Sequence, residues 1–267
     1  MEAITRYPGS KWRIANWIIS HFPEHHSYLE PFFGSGGVFF NKSRSDIETI
    51  NDLDGEVVNF FQQIRNDPER FAREIYFTPY SREIYEKGFR KKPESDFERA
   101  VLFCIRLNMG YGFRTTGEKV GWKRDIQGRE KAYAAIDWSE IPKKVMEAAE
   151  RLRGVQIENR PAVKIIREFN FENVLIYCDP PYVLSARRQK QYKHEMTDQD
   201  HEELLETLLQ HKGPVVISGY SSAMYEDYLK DWHREECMNY AQNAKPRREV
   251  IWCNQKVGNA VQLSFFK

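Results

Sequence analysis

The apolar run Val174-Leu175-Ile176-Tyr177 ends against Asp179-Pro180-Pro181-Tyr182, and this junction limits the fold more than any other stretch of the chain. Four consecutive bulky apolar residues make a strand buried on both faces, as strands are in an α/β sheet covered by helices on either side. Two prolines in series then fix φ and remove two backbone donors, so the chain leaves the strand in a stiff turn. In open α/β sheets the region just past the carboxyl end of a strand is where ligands bind.

The same alternation opens the chain. Residues 11–22 carry Trp12, Ala15, Ile19 and Phe22 at helical spacing, and Pro23 ends the pattern. Tyr28-Leu29 predicts a short buried strand. It leads into Glu30-Pro31-Phe32-Phe33-Gly34-Ser35-Gly36-Gly37, a glycine-rich turn, and then a helix through Val38–Asn41. Thr49-Ile50-Asn51-Asp52-Leu53-Asp54 reads as a second strand ending in acids. Strand, glycine turn, helix and acid-ended strand together open a nucleotide-binding α/β sheet.

The character changes over residues 56–155, where helix signals dominate. Ser95 and Glu98 form a capping box for a helix over Asp96–Asn108, with Phe97, Val101, Cys104 and Ile105 on one stripe. Gly110-Tyr111-Gly112-Phe113-Arg114-Thr115-Thr116-Gly117 follows as a hairpin or exposed loop. From residue 156 the α/β pattern resumes. Thr197 and Asp200 cap a helix bearing Leu204, Leu205, Leu208 and Leu209, stopped by Gly213. Pro214–Ser218 predicts a further strand, and Glu249–Cys253 with Val261–Phe266 a closing antiparallel pair. The expected plan is an α/β sheet domain divided between residues 1–55 and 156–267, with a mainly helical insertion over 56–155.

The groups of the Asp179–Tyr182 turn suit one chemistry. The Asp179 carboxylate and the Pro180 carbonyl are fixed acceptors without a competing N–H, Pro181 stiffens them, and Tyr182 offers an aromatic face. That combination fits a planar ring bearing an exocyclic NH₂. Such an amine is a poor nucleophile because its lone pair is delocalised into the ring. Hydrogen bonds from both of its protons favour a tetrahedral nitrogen and free the lone pair, which is preorganised electrostatic stabilisation combined with positioning. No covalent intermediate is required, so Cys178 reads as a buried strand residue.

With these motifs in view, the chain resembles the amino-group (N6-adenine) DNA methyltransferases that use S-adenosylmethionine, in the subgroup holding the DNA adenine methyltransferases of bacteria and phages. The resemblance rests on four motifs in order: Arg6-Tyr7-Pro8-Gly9-Ser10-Lys11, the glycine-rich Glu30–Gly37, Asn51-Asp52-Leu53-Asp54, and Asp179–Tyr182. It implies a Rossmann-like methyltransferase sheet, mostly parallel with an antiparallel closing pair, carrying an inserted target-recognition domain. It also implies roles. Pro31, Phe32, Phe33, Gly34, Ser35, Gly36 and Gly37 would let the backbone approach the methionine part of the cofactor at a helix N-terminus. Asp52 would accept the ribose hydroxyls, Tyr7 would stack on the cofactor adenine, Lys11 would sit near the cofactor carboxylate, and Asp179 would also border the cofactor. Asp179, Pro180, Pro181 and Tyr182 would hold an adenine flipped out of duplex DNA. Arg6, Asn108, Tyr111, Arg114 and Thr115 would contact DNA. So would the basic segment after the turn, Arg187, Arg188, Lys190, Tyr192 and Lys193. Lys245, Arg247 and Arg248 form a second basic cluster.

Composition narrows the classes. Forty basic against 39 acidic residues leave a net charge of +1, so a nucleic-acid surface must come from local segregation. The count is 20 basic to 16 acidic over residues 56–155, and 7 to 3 over residues 106–131. No apolar run reaches the length of a membrane helix. The start MEAITRYPGSKW lacks a signal-peptide pattern. The four cysteines are too scattered for a disulfide framework or a zinc cluster and fit reduced thiols in a cytoplasm; the resemblance implies a bacterial or phage-encoded protein. No histidine pair stands near a carboxylate at ligand spacing, so no metal is expected. The expected partner is double-stranded DNA, with no membrane, and the chain a monomer or weak dimer. N4-cytosine methylation, RNA methylation and a non-catalytic DNA-binding regulator remain as alternatives.

Overall fold

A computed structural model describes residues 1–111, 115–124, 126, 133–183, 191–240 and 246–254. In chain order it places α1 (Ala15–Ile19), β1 (Ser27–Glu30) and β2 (Ile47–Asn51). Six helices follow: α2 (Gly55–Asn66), α3 (Pro68–Phe77), α4 (Arg82–Arg90), α5 (Asp96–Met109), α6 (Ala134–Ser139) and α7 (Ile141–Arg151). Then come β3 (Gln156–Glu158), α8 (Ala162–Glu168), β4 (Val174–Cys178), α9 (Asp198–Leu209), β5 (Val215–Gly219), α10 (Ala223–Tyr228), β6 (His233–Tyr240) and β7 (Pro246–Cys253). The chain divides into two compact units. One comprises Met1–Ser10, Asp54–Gly154 and Gln191–Lys193. The other comprises Lys11–Leu53, Val155–Lys190 and His194–Lys267. The first ten residues therefore group with the helices rather than with the strands.

The second unit holds a seven-stranded sheet in the order β3-β2-β1-β4-β5-β7-β6. The pairs β1–β2, β1–β4, β2–β3 and β4–β5 are parallel, and β7 runs antiparallel to both β5 and β6. Strand order reverses between β1 and β4, which lie side by side with Ser27 opposite Val174 and Leu29 opposite Ile176. Their carboxyl ends, and the loops that leave them, therefore stand at one edge of the sheet, at a topological switch point. Every residue of β4 and β5 is buried. Leu204, Leu205 and Leu208 of α9 pack on Ile176, Cys178, Ile217 and Trp252, with Ile165 and Ile166 of α8 beside them. This apolar layer fixes the sheet edge that carries the site. Gly213 allows a close approach between chain segments: a Cβ there would stand 2.3 Å from the Val174 carbonyl oxygen.

Local sequence explains the helix ends. Thr197 and Asp200 form the full reciprocal capping box of α9. Ser95 accepts from the Glu98 N–H, but the Glu98 carboxylate accepts from the Glu94 N–H instead of closing the box. In the helical unit Asp54, Asp67 and Ser81 cap α2, α3 and α4. Phe60, Phe71, Tyr85 and Val145 are fully buried there. Arg106 of α5 donates to the Gly88 carbonyl and pairs with Glu56 at 3.2 Å, so this charge knits helices together.

Several boundaries differ from expectation. The helix expected over residues 11–22 is shortened to α1, with turns around it. No helix runs through Val38–Asn41; residues 37–41 form consecutive turns, where Phe40 N–H donates to the Gly36 carbonyl and Lys42 N–H to the Val38 carbonyl. Phe39 packs edge to face on both Phe33 and Phe40, and Phe33 and Phe40 meet at a tilt, which favours compact turns over a straight helix. The α9 helix stops at Leu209, before Gly213. The partner of β7 in the closing antiparallel pair is β6, a strand lacking clean alternation and absent from the sequence reading. The expected strand Val261–Phe266 lies outside the described residues.

Candidate active site at the carboxyl edge of the sheet

Five segments of the sheet unit meet the carboxyl edge in the order the topology dictates. The glycine loop leaves β1, Asp52 follows β2, Asp179–Tyr182 follows β4, and Tyr220 follows β5. Because β7 runs the opposite way, its early residues reach the same edge. Val250 pairs with Gly219, and Glu249 comes one residue before.

The glycine loop is held by β2. Phe33 N–H donates to the Asn51 carbonyl at 2.9 Å, and the Asn51 side chain donates to the Pro31 carbonyl at 2.9 Å. Gly34 and Gly36 take φ of +52° and +67°, values that side chains other than glycine rarely adopt. The Gly34 N–H donates to Asp52 Oδ2 at 2.8 Å, joining the loop to the acid after β2. Ser35 Oγ accepts from Trp12 Nε1 at 3.2 Å, and Gly37 lies against the Trp12 backbone. Phe32 is partly buried against the sheet core, and Phe33 is buried. The aromatic side chains of this motif thus hold the loop, and its backbone and Asp52 are what it presents.

At the end of β4 the Asp179 carboxylate is oriented through one oxygen. Oδ1 lies 2.9 Å from Lys11 Nζ and accepts from Ser218 Oγ of β5 at 2.9 Å. Among the described residues no group donates to Oδ2 or to the Pro180 carbonyl. The carboxylate side chain is 19% accessible while Lys11 is nearly sealed at 3%. Burial pushes the Asp179 carboxyl above the usual carboxylate range, and the Lys11 ammonium and Ser218 hydroxyl oppose it. For Lys11, burial works against the charged form, but the carboxylates of Asp179 and Glu249 outweigh it and the net shift is upward. The pair is a buried ion pair with each oxygen assigned: one bound, one open.

Tyr182 closes this cluster. Its hydroxyl donates to Glu249 at 2.6 Å, its ring meets Tyr220 at 4.4 Å in a steeply tilted contact, and Lys11 Nζ lies 4.8 Å from its centroid. Burial and then Glu249 keep the phenol far above its normal pKa, so it stays a donor. Cys178 is buried at the end of β4, and burial raises its thiol pKa well above normal. Lys11, expected near the cofactor carboxylate, stands against the Asp179–Tyr182 turn. Sequence reading missed Tyr220, Ser218 and Glu249. Tyr220 and Ser218 could have been found from their place at the end of the Val216-Ile217 strand. Glu249 could not, since its arrival depends on an antiparallel strand whose position the sequence leaves open.

The remaining candidates lie in the helical unit. Tyr7 is buried there, 6.3 Å from the Tyr192 ring, and a Cβ on Gly9 would meet the Tyr192 hydroxyl. Arg6 pairs with Asp137 of α6. Asn108 turns its amide back onto the Cys104 carbonyl at 3.0 Å, the i−4 bond of its own helix. Gly110 bridges Trp122 antiparallel, and Tyr111 is exposed with its hydroxyl on the Arg124 carbonyl. Thr115 N–H donates to the Gln191 carbonyl and its Oγ1 accepts from Lys193 N–H, so residues 115 and 191–193 are stitched together. Lys193 pairs with Asp54 at 3.5 Å. Arg248, in the sheet unit, pairs with Glu236 at 3.6 Å. Arg114, Arg187, Arg188, Lys190 and Lys245 lie outside the described residues, as does the Arg247 side chain. No cluster of metal-ligating side chains occurs among the described residues, and no described helix is long and apolar enough to cross a membrane.

A parallel α/β sheet with a glycine loop, an acid and a proline-stiffened carboxylate at its switch point defines a nucleotide-handling enzyme class. Comparison with known proteins narrows the class. The model of the D12 class N6 adenine-specific DNA methyltransferases matches residues 7–243, and the chain belongs to that family. It is 26% identical over 263 residues to a DNA adenine methylase of Escherichia coli strain K12, covering 93% of this chain and 89% of that one. It is 24% identical over 251 residues to the type II methyltransferase M1.LlaDCHI of Lactococcus lactis subsp. cremoris, covering 87% and 86%. Against a DNA adenine methylase of Vibrio cholerae serotype O1 the identity is 26% over 192 residues, covering 68% of this chain and 65% of the relative's length.

Proposed function

We propose that this chain transfers a methyl group from S-adenosylmethionine to the N6 amine of an adenine flipped out of double-stranded DNA. The observation that carries the reading is the half-occupied clamp: Asp179 is fixed through Oδ1 by Lys11 and Ser218, with Oδ2 and the neighbouring Pro180 carbonyl left as acceptors. An amine has two protons to donate and finds two acceptors on one rigid turn. Tyr182 bounds the base beside them, and its phenol, held by Glu249, cannot swing away.

The cofactor site fits the residues present. The positive-φ glycines 34 and 36 bring bare backbone to the crevice edge, and Asp52, half-buried after β2, offers a carboxylate for hydroxyl groups. These residues would hold the donor, which when bound supplies an electrophilic methyl on a positively charged sulfur. The chain's own part is alignment. Asp179 must be ionised to accept from the amine, and Lys11 keeps it so despite burial. The basic stretch over residues 106–131 of the helical unit is assigned to DNA. Extrusion of the base is required because a stacked amine is out of reach.

Transfer of labelled methyl groups to duplex DNA, followed by mass analysis of the nucleosides, tests this. N6-methyladenine is expected. N4-methylcytosine alone, or no transfer, would sink the reading. A second measurement checks the role of the ion pair. In Lys11→Met the force that lowers the Asp179 pKa is gone, so that pKa climbs further. The acid limb of the rate profile is expected to move to higher pH, with a loss at neutral pH of about 10- to 100-fold. An unmoved limb would show that Lys11 does not govern the carboxylate.

A further inference from the structure

Glu249 is buried midway along β7, the strand that runs in reverse at the site edge, and the amine clamp as described above uses it only to hold the Tyr182 phenol. Its Oε2 takes the Tyr182 hydroxyl at 2.6 Å, and the Tyr182 ring in turn lies against Tyr220 and the Lys11 ammonium. We propose that Glu249 is a positioning residue of the clamp: its carboxylate locks the Tyr182 ring in place and serves as the second counter-charge that holds Lys11 beside Asp179 Oδ1. The proposal rests on the methyl-transfer reading for its consequence in catalysis, but its geometry stands in the protein alone.

Charge makes the arrangement specific. The ionisable groups around Asp179 are Lys11, Tyr177, Cys178, Tyr182, Tyr225 and Glu249. The three tyrosines and the cysteine all have pKa values pushed up by burial and remain neutral. Glu30, buried at the end of β1, is bound to the Tyr28 hydroxyl and acts more weakly through Tyr177. The charges left at the clamp are the Lys11 ammonium, the Asp179 carboxylate 2.9 Å from it and Glu249, whose carboxylate also favours the charged Lys11. Asp179 can turn one oxygen to a substrate amine without releasing Lys11 because Glu249 shares the ammonium's charge. Hydroxyl contact and counter-charge are separable by substitution. Glu249→Gln keeps an acceptor for Tyr182 and removes the charge, Glu249→Ala removes both, and Tyr182→Phe removes only the hydroxyl.

The test uses the full chain in these variants and the Tyr182→Phe/Glu249→Ala double variant. The first readout needs no turnover: NMR titration of the ¹³C-labelled Asp179 carboxyl. Glu249 raises the Asp179 pKa, so Glu249→Gln is expected to lower it. The second readout is the single-turnover rate on duplex DNA. Tyr182→Phe and Glu249→Ala are each expected to lose about tenfold or more, and the double variant to lose no more than Glu249→Ala alone, as coupled contacts do. An unchanged Asp179 titration in Glu249→Gln, or additive losses in the double variant, would overturn the proposal. If the Glu249 variants do not fold, Tyr182→Phe decides from the other end of the same bond: wild-type rate there overturns it. A wild-type protein that transfers no methyl group would remove the parent reading, while the carboxyl titration would still pass or fail Glu249.

Discussion

Replacing Asp179 by alanine is expected to lower methyl transfer by about 10³-fold or more while S-adenosylmethionine still binds. The carboxylate keeps one oxygen, Oδ2, to which no group donates among the described residues, and losing a preorganised transition-state contact costs about 10²–10³ in rate. The alanine variant also strands a buried ammonium. Lys11 would keep only Glu249 as a counter-charge, so its pKa falls from its raised value. Asp179→Asn separates the two effects, since it preserves the side-chain size and one acceptor while removing the charge. Single-turnover rates beside calorimetric cofactor binding read the outcome. Turnover near wild type in either variant would refute the amine clamp. Loss of cofactor binding in step with rate would relocate Asp179 to the donor site.

The glycine loop carries the second large effect. Gly36→Ala is expected to destabilise the protein by about 3 kcal/mol. The φ of +67° disfavours any side chain by roughly 1–2 kcal/mol, and the new Cβ would stand 2.5 Å from Phe33 Cζ and 2.7 Å from Phe40 Cε2, an overlap costing about 1–3 kcal/mol more. For a chain of this size the melting temperature should fall by about 6–12 °C. Gly117→Ala is the control. It also has positive φ, at +80°, but its Cβ would meet nothing within 4 Å, so it should lose only the backbone part. Equal losses at both glycines would show that the aromatic cage around the loop yields without strain.

What could be read from sequence follows physical lines. The strands β4 and β5 were legible because burial on both faces leaves a nearly unbroken apolar run, while β1 and β2, which carry polar residues, were legible from the glycine turn and the acids that follow them. The turn at Asp179 was legible because two prolines permit little else. The α9 capping box was readable from two side chains three residues apart. Pairings between distant segments were not legible. β6 reads His-Arg-Glu-Glu-Cys-Met-Asn-Tyr, a solvated edge whose only apolar instruction comes from the neighbour it joins. Lys11 was singled out for a ligand, and nothing in its local sequence says that it would be sealed against Asp179. Val38–Asn41 looked helical by composition, yet three phenylalanines packing on one another turned it into tight turns. Asn108 reads as a base contact, and the local sequence does not show that its amide bonds the Cys104 carbonyl of its own helix. The local pattern sets each element, and the long-range contacts decide which side chains are left over for chemistry.

The reversed course of β7 bears on how the molecule is made. Residues that complete the cluster arrive from position 11, from 179–182, from 218–220 and finally from 249. A ribosome must therefore deliver nearly all of the described chain before Tyr182 has anything to anchor its hydroxyl. Pairings of such separation close late and slowly. A partly synthesised chain would carry the glycine loop and the proline turn but no finished clamp until β7 is in place.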